Sequence, residues 1–378
     1  MSPDPPSSST YRIGYGGLLR RFENASRLTR VPAQLAAVFL LAWVPLMVLS
    51  LVHEHLTGHR EVLRHDALMH VRLLVAIPTF LIIDGSFPKE CGYALTLLVS
   101  QRFVPVSEQV RLERAFTKAA RMADSSVPEV MLAFVSVALG AAALGGAISV
   151  QGIEANRLTP AQVWYALSGV PLFEFLLWRS LWRWVIWVRL LAGISRITLA
   201  LVPTHPDKRG GIRFLRFPSL GYCALLLFAI SSVLCAGWGG GFTVGATIAS
   251  FVPLLIIFAT AGTFLAFGPL LPFTFQLFRA RRAGLAELGD VAANCGRRFQ
   301  RRYADDPSEY DPVAIQTLSS VEQTYREAVN QLNLLLVDKR DLAFLLVATL
   351  LPVVPVMLSQ VPLEDWRDLL QAVTGLKR

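Results

Sequence analysis

Of the 378 residues, 53% are hydrophobic and only 17% charged, too apolar a balance for a soluble domain of ordinary make-up. A formal net charge of +9 would suggest nucleic acid as the partner of a soluble protein, but in so apolar a chain positive charge mainly sets orientation across a bilayer. Aromatic and basic residues do not interleave on a polar face as a nucleic-acid reader requires, so no nucleic-acid partner is expected. Cys91, Cys223, Cys235 and Cys295 are scattered without a CxxC pair, which implies neither a disulfide framework nor a zinc module.

Residues 1–30, rich in Pro, Ser and Arg, are too long for a signal-peptide n-region and are followed by no small-residue cleavage site. They read as a flexible cytoplasmic tail, with residues 31–52 as an uncleaved first span whose Pro32 is tolerated in the first turn. Further apolar blocks follow at 71–85, 128–150, 161–194, 220–238, 247–275 and 342–358. An α-helix needs about 20 residues to cross a hydrocarbon core of about 30 Å, whereas barrel strands are about ten residues long and alternate apolar with polar. The pattern therefore predicts an all-α fold, a polytopic transmembrane helical bundle of about seven spans with cytoplasmic helical segments. The second block is interrupted by Asp84, Gly85 and Pro88 and can continue through 91–100 as one helix.

With the N-terminus inside, 27 of the 36 Lys and Arg residues fall on the cytoplasmic side and seven outside, the asymmetry expected of an inner-membrane protein. The bundle then occupies 31–278, with a charged, helix-forming segment at 101–126 expected to leave the membrane as a hairpin. A second cytoplasmic helical segment occupies 279–340, with a turn-like DDPSEYDP at 305–312. Residues 341–378 hold the last span and a short amphipathic helix. In the third block Ala141 and Ala142 stand four residues before Gly145 and Gly146, a spacing that permits close helix approach. Trp164, Trp178, Trp182, Trp184 and Trp187 crowd the fourth block, part of them as an interfacial belt.

Three constellations are candidates for function. Asp84, Glu174, Arg179 and Arg183 are ionisable residues at membrane depth, which either pair in a polar network or, for the arginines, snorkel to phosphate headgroups. Arg179 and Arg183 share a helix face, while Glu174 lies about 140° from Arg179 around the helix and is a poor partner. Between the first two spans, five histidines crowd 18 residues. Helical spacing would bring His55 to His59 and Asp66 to His70, part of a divalent metal site; the alternative is a solvated loop. The string HEHLTGH departs from HExxH, with Thr57 in place of the second histidine, and Gly58 weakens the helix between His55 and His59.

The third is the loop LVPTHPDKRGGIRFL at 201–215. Thr204, His205, Pro206, Asp207, Gly210 and Gly211 read as a tight cytoplasmic turn in which Thr204 and Asp207 bond nearby backbone N–H groups. Its tripeptide resembles the HPD of J-domain co-chaperones, but a J-domain needs a soluble helical hairpin around it, and here spans flank it. Lys208, Arg209, Arg213 and Arg216 surround the turn, so anionic lipid headgroups or a purely structural role are expected, with a phosphate-bearing metabolite as the sharper alternative.

The stretch RSLWRWVIWVRLLAGISRITLALVPTHPDKRGG at 179–211 resembles a family of bacterial multi-pass inner-membrane proteins. The family's marks are an HPDxxGG cytoplasmic loop after an Arg- and Trp-rich span. The ending LLPVVPVMLSQVPLEDWRDLLQAV at 350–373 is similar to its proline-punctuated last span and amphipathic helix, and HVRLLVAIPTFLIIDG at 70–85 to its second span. One departure is Asp84, where the family pattern leads us to expect Glu. The resemblance implies a bacterial inner-membrane location and brings no assigned activity, substrate or site.

No Walker A, G-x-G-x-x-G or G-x-S-x-G motif is present, and no cofactor is implied. An enzymatic role would require His205 and Asp207 to converge with other polar groups in a closed pocket. Two readings remain. A transporter or channel-like conduit predicts a polar cavity between the second and fourth spans. A non-transporting scaffold or sensor predicts that the segments 101–126 and 279–340 dock under the loop at His205, alone or in a homo-oligomer.

Overall fold

The computed structural model describes residues 31–150, 158–242, 248–303, scattered positions between 313 and 323, and 332–359. The tail at 1–30, the turn at 305–312 and the C-terminal amphipathic helix lie outside the described residues. Within them the fold is all-helical, without strands. The helices are α1 (Val31–Thr57), α2 (Ala67–Ser100), α3 (Gln109–Asp124), α4 (Ser126–Val150) and α5 (160–194, ending in the long stretch Val170–Ile194). Then come α6 (Arg216–Phe242), α7 (Ile248–Phe267), α8 (Phe273–Tyr303), α9 (Lys339–Leu350) and α10 (Val353–Ser359).

Five helical stretches are long and apolar enough to cross a membrane: α1, α2, Val106–Leu144, Arg213–Gly239 and Phe251–Leu270. The other two expected spans differ from these for visible reasons. In α5, Glu174, its arginines and its tryptophans hold the hydropathy down. The last apolar block is divided between α9 and α10, with Pro352 at the joint. Large side chains such as Leu41, Phe134 and Phe264 are 69%, 75% and 71% exposed, an apolar surface that soluble monomers do not present over whole helices.

Prolines shape three of the helices by one device. Pro45, Pro78 and Pro171 each follow a π-helical turn, at Phe39–Trp43, Arg72–Ala76 and Tyr165–Gly169. A proline offers no N–H to the carbonyl four residues back, here Leu41, Leu74 and Leu167. The chain widens, and the residue before each proline donates five residues back instead: Val44 to Phe39, Ile77 to Arg72 and Val170 to Tyr165. The first of these turns packs against the other two.

Helix α2 lies at the centre, with α5 on one flank and α6 on the other; α4 packs on α5, and α7 and α9 pack on α6. Burial follows this order: half or more of the apolar window of α2 and α6 is covered, against 17% for α1 and 11% for α7. Trp184 and Trp187 are buried in this core while Trp164 and Trp178 are exposed, so the tryptophans divide between interior and rim. The 101–126 segment is no outward hairpin. Its helix α3 lies along the C-terminal half of α5, burying Leu112, Phe116 and Ala119, because its apolar residues form a single stripe.

Close approach of α4 to α5 depends on Gly140, while Ala141 and Ala142 are exposed. A β-carbon at Gly140 would lie 2.5 Å from the Ala166 carbonyl oxygen and 2.7 Å from Pro171 Cγ. The obstacle is backbone and a proline ring, neither of which can yield. Gly140→Val is therefore expected to destabilise by about 1–3 kcal/mol, read as a lower midpoint in thermal unfolding of the detergent-solubilised protein, with Ala141→Val as the near-neutral control.

Candidate functional site

Two polar assemblies stand out, one within the helix bundle and one at the end formed by the 201–215 loop. In the first, Arg179 Nη1 lies 2.5 Å from Asp84 Oδ1, and Arg179 Nε donates to Glu129 Oε1 at 3.0 Å. Arg183 pairs with the same Asp84 oxygen and also donates to the Asp84 main-chain carbonyl at 3.3 Å. Pro88, four residues on, has no N–H to offer that carbonyl. The residue that interrupts the sequence pattern of α2 thus creates an acceptor for the cluster.

The cluster holds two guanidinium groups against two carboxylates and so carries no net formal charge. Arg179 is only 1% exposed, so its guanidinium is enclosed among protein groups and does not snorkel to headgroups. Aromatic rings cover the neighbourhood. Phe87 meets Tyr222 and Trp187, Tyr222 stacks on Trp184, Trp187 Nε1 donates to Ser219 Oγ at 2.9 Å and Tyr222 donates to the Ser180 carbonyl. These contacts join α2, α5 and α6 around the charges.

Glu174 is not part of this cluster. It is half-buried and within electrostatic reach of Tyr165, whose hydroxyl accepts from Arg72 Nη1 at 3.2 Å. Glu129 replaces it. Glu129 sits in the first turn of α4, where the helix dipole also favours a carboxylate.

The histidines stay apart. Gly58 ends α1 in the left-handed conformation, at φ 68°, so His55 and His59 do not share a helix face, and both are exposed. His70 accepts from Trp43 Nε1 at 3.2 Å and its other nitrogen faces the Arg64 carbonyl at 2.9 Å. Asp66 caps the start of α2 by accepting from Leu68 N at 2.9 Å. Among the described residues no group of three or more His, Cys, Asp or Glu is arranged to hold a metal ion. The loop's buried acid is Glu61, which accepts from Thr159 Oγ1 at 3.0 Å and fastens the loop to the start of α5.

At the other end, Asp207 organises the loop. Its Oδ1 accepts from the N–H of Arg209 at 2.8 Å and of Gly211 at 3.0 Å, and its Oδ2 from Arg213 N at 3.2 Å. His205 Nδ1 lies 2.9 Å from Oδ1. Thr204 and Pro206 are exposed, so the capping expected of two residues falls to Asp207. Gly210 and Gly211 have φ of 65° and 93°, and a β-carbon at Gly211 would lie 2.2 Å from Phe103 Cζ. Partial burial pushes the Asp207 carboxyl up, but the backbone donors and His205 outweigh it and hold the group below its ordinary value. With its lone pairs occupied in this way, Asp207 is a structural cap and a poor general base.

Three chain segments, at 103, 276–284 and 333–341, meet on this loop and the residues leading into it. Ala200 N donates to the Phe103 carbonyl at 2.8 Å, and Asn333 N donates to the Lys208 carbonyl at 2.8 Å. Gln276 Nε2 donates to the carbonyls of Ser195 and Ile197, and Pro203 packs on Gly284. Arg209, Arg213 and Arg216 converge on Asp338, and Arg216 also on Asp341. The two aspartates form a capping box at the start of α9. Burial pushes the Asp338 carboxyl up, but the three arginines prevail and keep it below its usual value.

Sequence reasoning missed Glu129, Asp338, Asp341, Glu61 and Phe103. Glu129 and the Asp338–Asp341 pair carried one signal, an acid at a helix start, and ordinary helix-start chemistry accounts for such an acid without a partner. No family model matches the chain, no curated protein matches it, and no solved structure matches it.

Breaking the buried cluster from one side leaves an uncompensated charge, so Asp84→Asn or Arg179→Gln is expected to cost roughly 3–5 kcal/mol. Glu174→Gln should cost less than about 0.5 kcal/mol. Thermal unfolding of the three variants side by side checks the assignment.

The loop yields a pH dependence. Because the Asp207 and Asp338 carboxyls are depressed in the folded state, their contribution is fully present above the ordinary value near 4 and is lost as pH falls through the folded values. The unfolding midpoint should hold from about pH 8 to about pH 5 and decline below about pH 4. Asp207→Asn should lower the midpoint at neutral pH and flatten the acid limb.

Proposed function

We propose that the chain is a seven-span inner-membrane protein of the bacterial family it resembles, with its N-terminus in the cytoplasm, and that it works as a non-transporting scaffold or sensor. Positive-inside asymmetry supports the orientation, since 27 of the 36 Lys and Arg residues fall on the side of the loop in this topology, and Arg209, Arg213 and Arg216 cluster at the loop itself. Neutralisation of Arg179 and Arg183 by Asp84 and Glu129 supports counting α5 as a span, because a cluster without net charge is far less costly to bury than lone arginines. The short break between α9 and α10 supports counting 339–359 as the seventh.

The observation that carries the scaffold reading over a conduit is the mutual pairing of the intramembrane charges. A carrier or channel needs ionisable groups whose pairing alternates with that of a passing ion or solute. Here the carboxylates and guanidiniums close on one another under aromatic cover. The loop end offers the contrary arrangement, a folded surface where segments from distant parts of the chain meet.

Ion and proton flux into proteoliposomes decides between the readings. The scaffold reading predicts flux no greater than empty liposomes for both the wild type and Glu174→Gln. A flux that Asp84→Asn removes while the protein remains folded would establish the conduit. Orientation is checked in a cysteine-free background with an impermeant maleimide on intact cells: His59→Cys and Lys377→Cys should label from outside, and Val106→Cys only after lysis.

A further inference from the structure

We propose that the arginine cluster at the start of α6 and α9 binds a phosphate group, supplied by an anionic lipid headgroup or by a free phosphate-bearing molecule. The two aspartates do not balance the three arginines. Arg209, Arg213 and Arg216 face Asp338 and Asp341; the Asp207 carboxylate is turned onto backbone N–H groups, and with Lys208, Lys339 and Arg340 alongside the described residues of this end carry net positive charge. The bundle's other cluster has two of each.

The unused donors point the same way. Arg209 is 2% and Arg216 7% exposed, yet among the described residues Arg209 Nη1 and Arg216 Nε are buried without an acceptor, as is Arg213 Nε. Buried guanidinium N–H groups lacking an acceptor are costly, and a tetrahedral oxyanion supplies several acceptors at once. The cluster is open on one side, where the Arg213 side chain is 42% and the Asp338 side chain 31% exposed. Lys208, Lys339 and Arg340 are exposed around it. Two helices of 27 and 12 residues begin here, and their N-terminal dipoles add to the positive field.

A phosphate entering from the open side meets Arg213 first and competes with Asp338 for the buried pair behind it. Two opposite effects follow. Losing Arg213 weakens binding, whereas losing the carboxylate of Asp338 strengthens it, because the excess charge rises and the competitor is gone. A merely structural ion-pair cluster gives no such opposition.

The test uses the full chain in phosphate-free detergent, its Tm followed by tryptophan fluorescence while inorganic phosphate is titrated against chloride at matched ionic strength. A parallel set uses nanodiscs of phosphatidylcholine alone or with phosphatidylglycerol. We expect a saturable rise in Tm in at least one set, lost in Arg213→Gln, partly kept in Arg213→Lys and unchanged in Arg282→Gln. In Asp338→Asn the half-saturating concentration should fall about tenfold, or about 1.4 kcal/mol. A rise with phosphatidylglycerol alone assigns the phosphate to a headgroup, and a rise with inorganic phosphate as well assigns it to a free molecule. No saturable rise in either set, or one that Arg213→Gln leaves intact, overturns the proposal; so does a fully folded Asp338→Asn that binds more weakly.

Discussion

The bundle depends on one constraint: Arg179 is almost fully enclosed, and a guanidinium so placed must be matched by carboxylates on other helices. Asp84 supplies one from α2 and Glu129 one from α4. Each must sit at the right height along its helix, so the pairing fixes how far α2 and α4 slide against α5. Apolar packing alone tolerates such slippage, since lipid and side chains offer similar surroundings. Arg183 tightens the register further by reading both the Asp84 carboxylate and the Asp84 main-chain carbonyl, to which Pro88 cannot donate.

The same chemistry recurs at the loop end with a different balance. There Asp207 folds the turn by accepting from three backbone N–H groups, and the folded turn presents Arg209 inward and Arg213 at the edge. Asp338 and Asp341 cap α9 while they receive those arginines. One pair of carboxylates therefore serves both helix capping and ion pairing across more than 120 residues of sequence, which ties the last helices to the loop.

Much of this was legible in the sequence, and the remainder was hidden for identifiable reasons. Apolar blocks of membrane length stood out because they concentrate the hydrophobic residues with few interruptions, and Asp84, Arg179 and Arg183 stood out because charge is rare inside such blocks. Glu129 was hidden by its position at a block's edge, where an acid is ordinary helix-start chemistry. The partners of Arg209 and Arg216 were hidden because residues 338 and 341 come together with residue 209 only through the packing of α9 on α6. The histidines misled in the opposite sense: their spacing was that of a metal site only on a continuous helix, and Gly58 ends that helix. Ala141 and Ala142 likewise carried the right spacing on an exposed face, while the contact falls on Gly140, one position earlier.

The two polar assemblies are joined by the first turns of α6. Arg216 begins that helix in the loop cluster, Ser219 takes the Trp187 hydrogen bond, and Tyr222 stacks on Trp184 beside the buried charges. Six residues of helix separate Arg216 from Tyr222, about 9 Å at the α-helical rise, with no loop between them to absorb a displacement. A shift of α6 driven from the loop end would therefore have to break the Trp187 and Tyr222 contacts or carry α5 with it, and α5 holds the Arg179 cluster. Coupling of this kind requires α6 to have two discrete seatings that a ligand can bias. An anion at its N-terminus would rebalance the unequal charge there without disturbing the neutral cluster around Arg179.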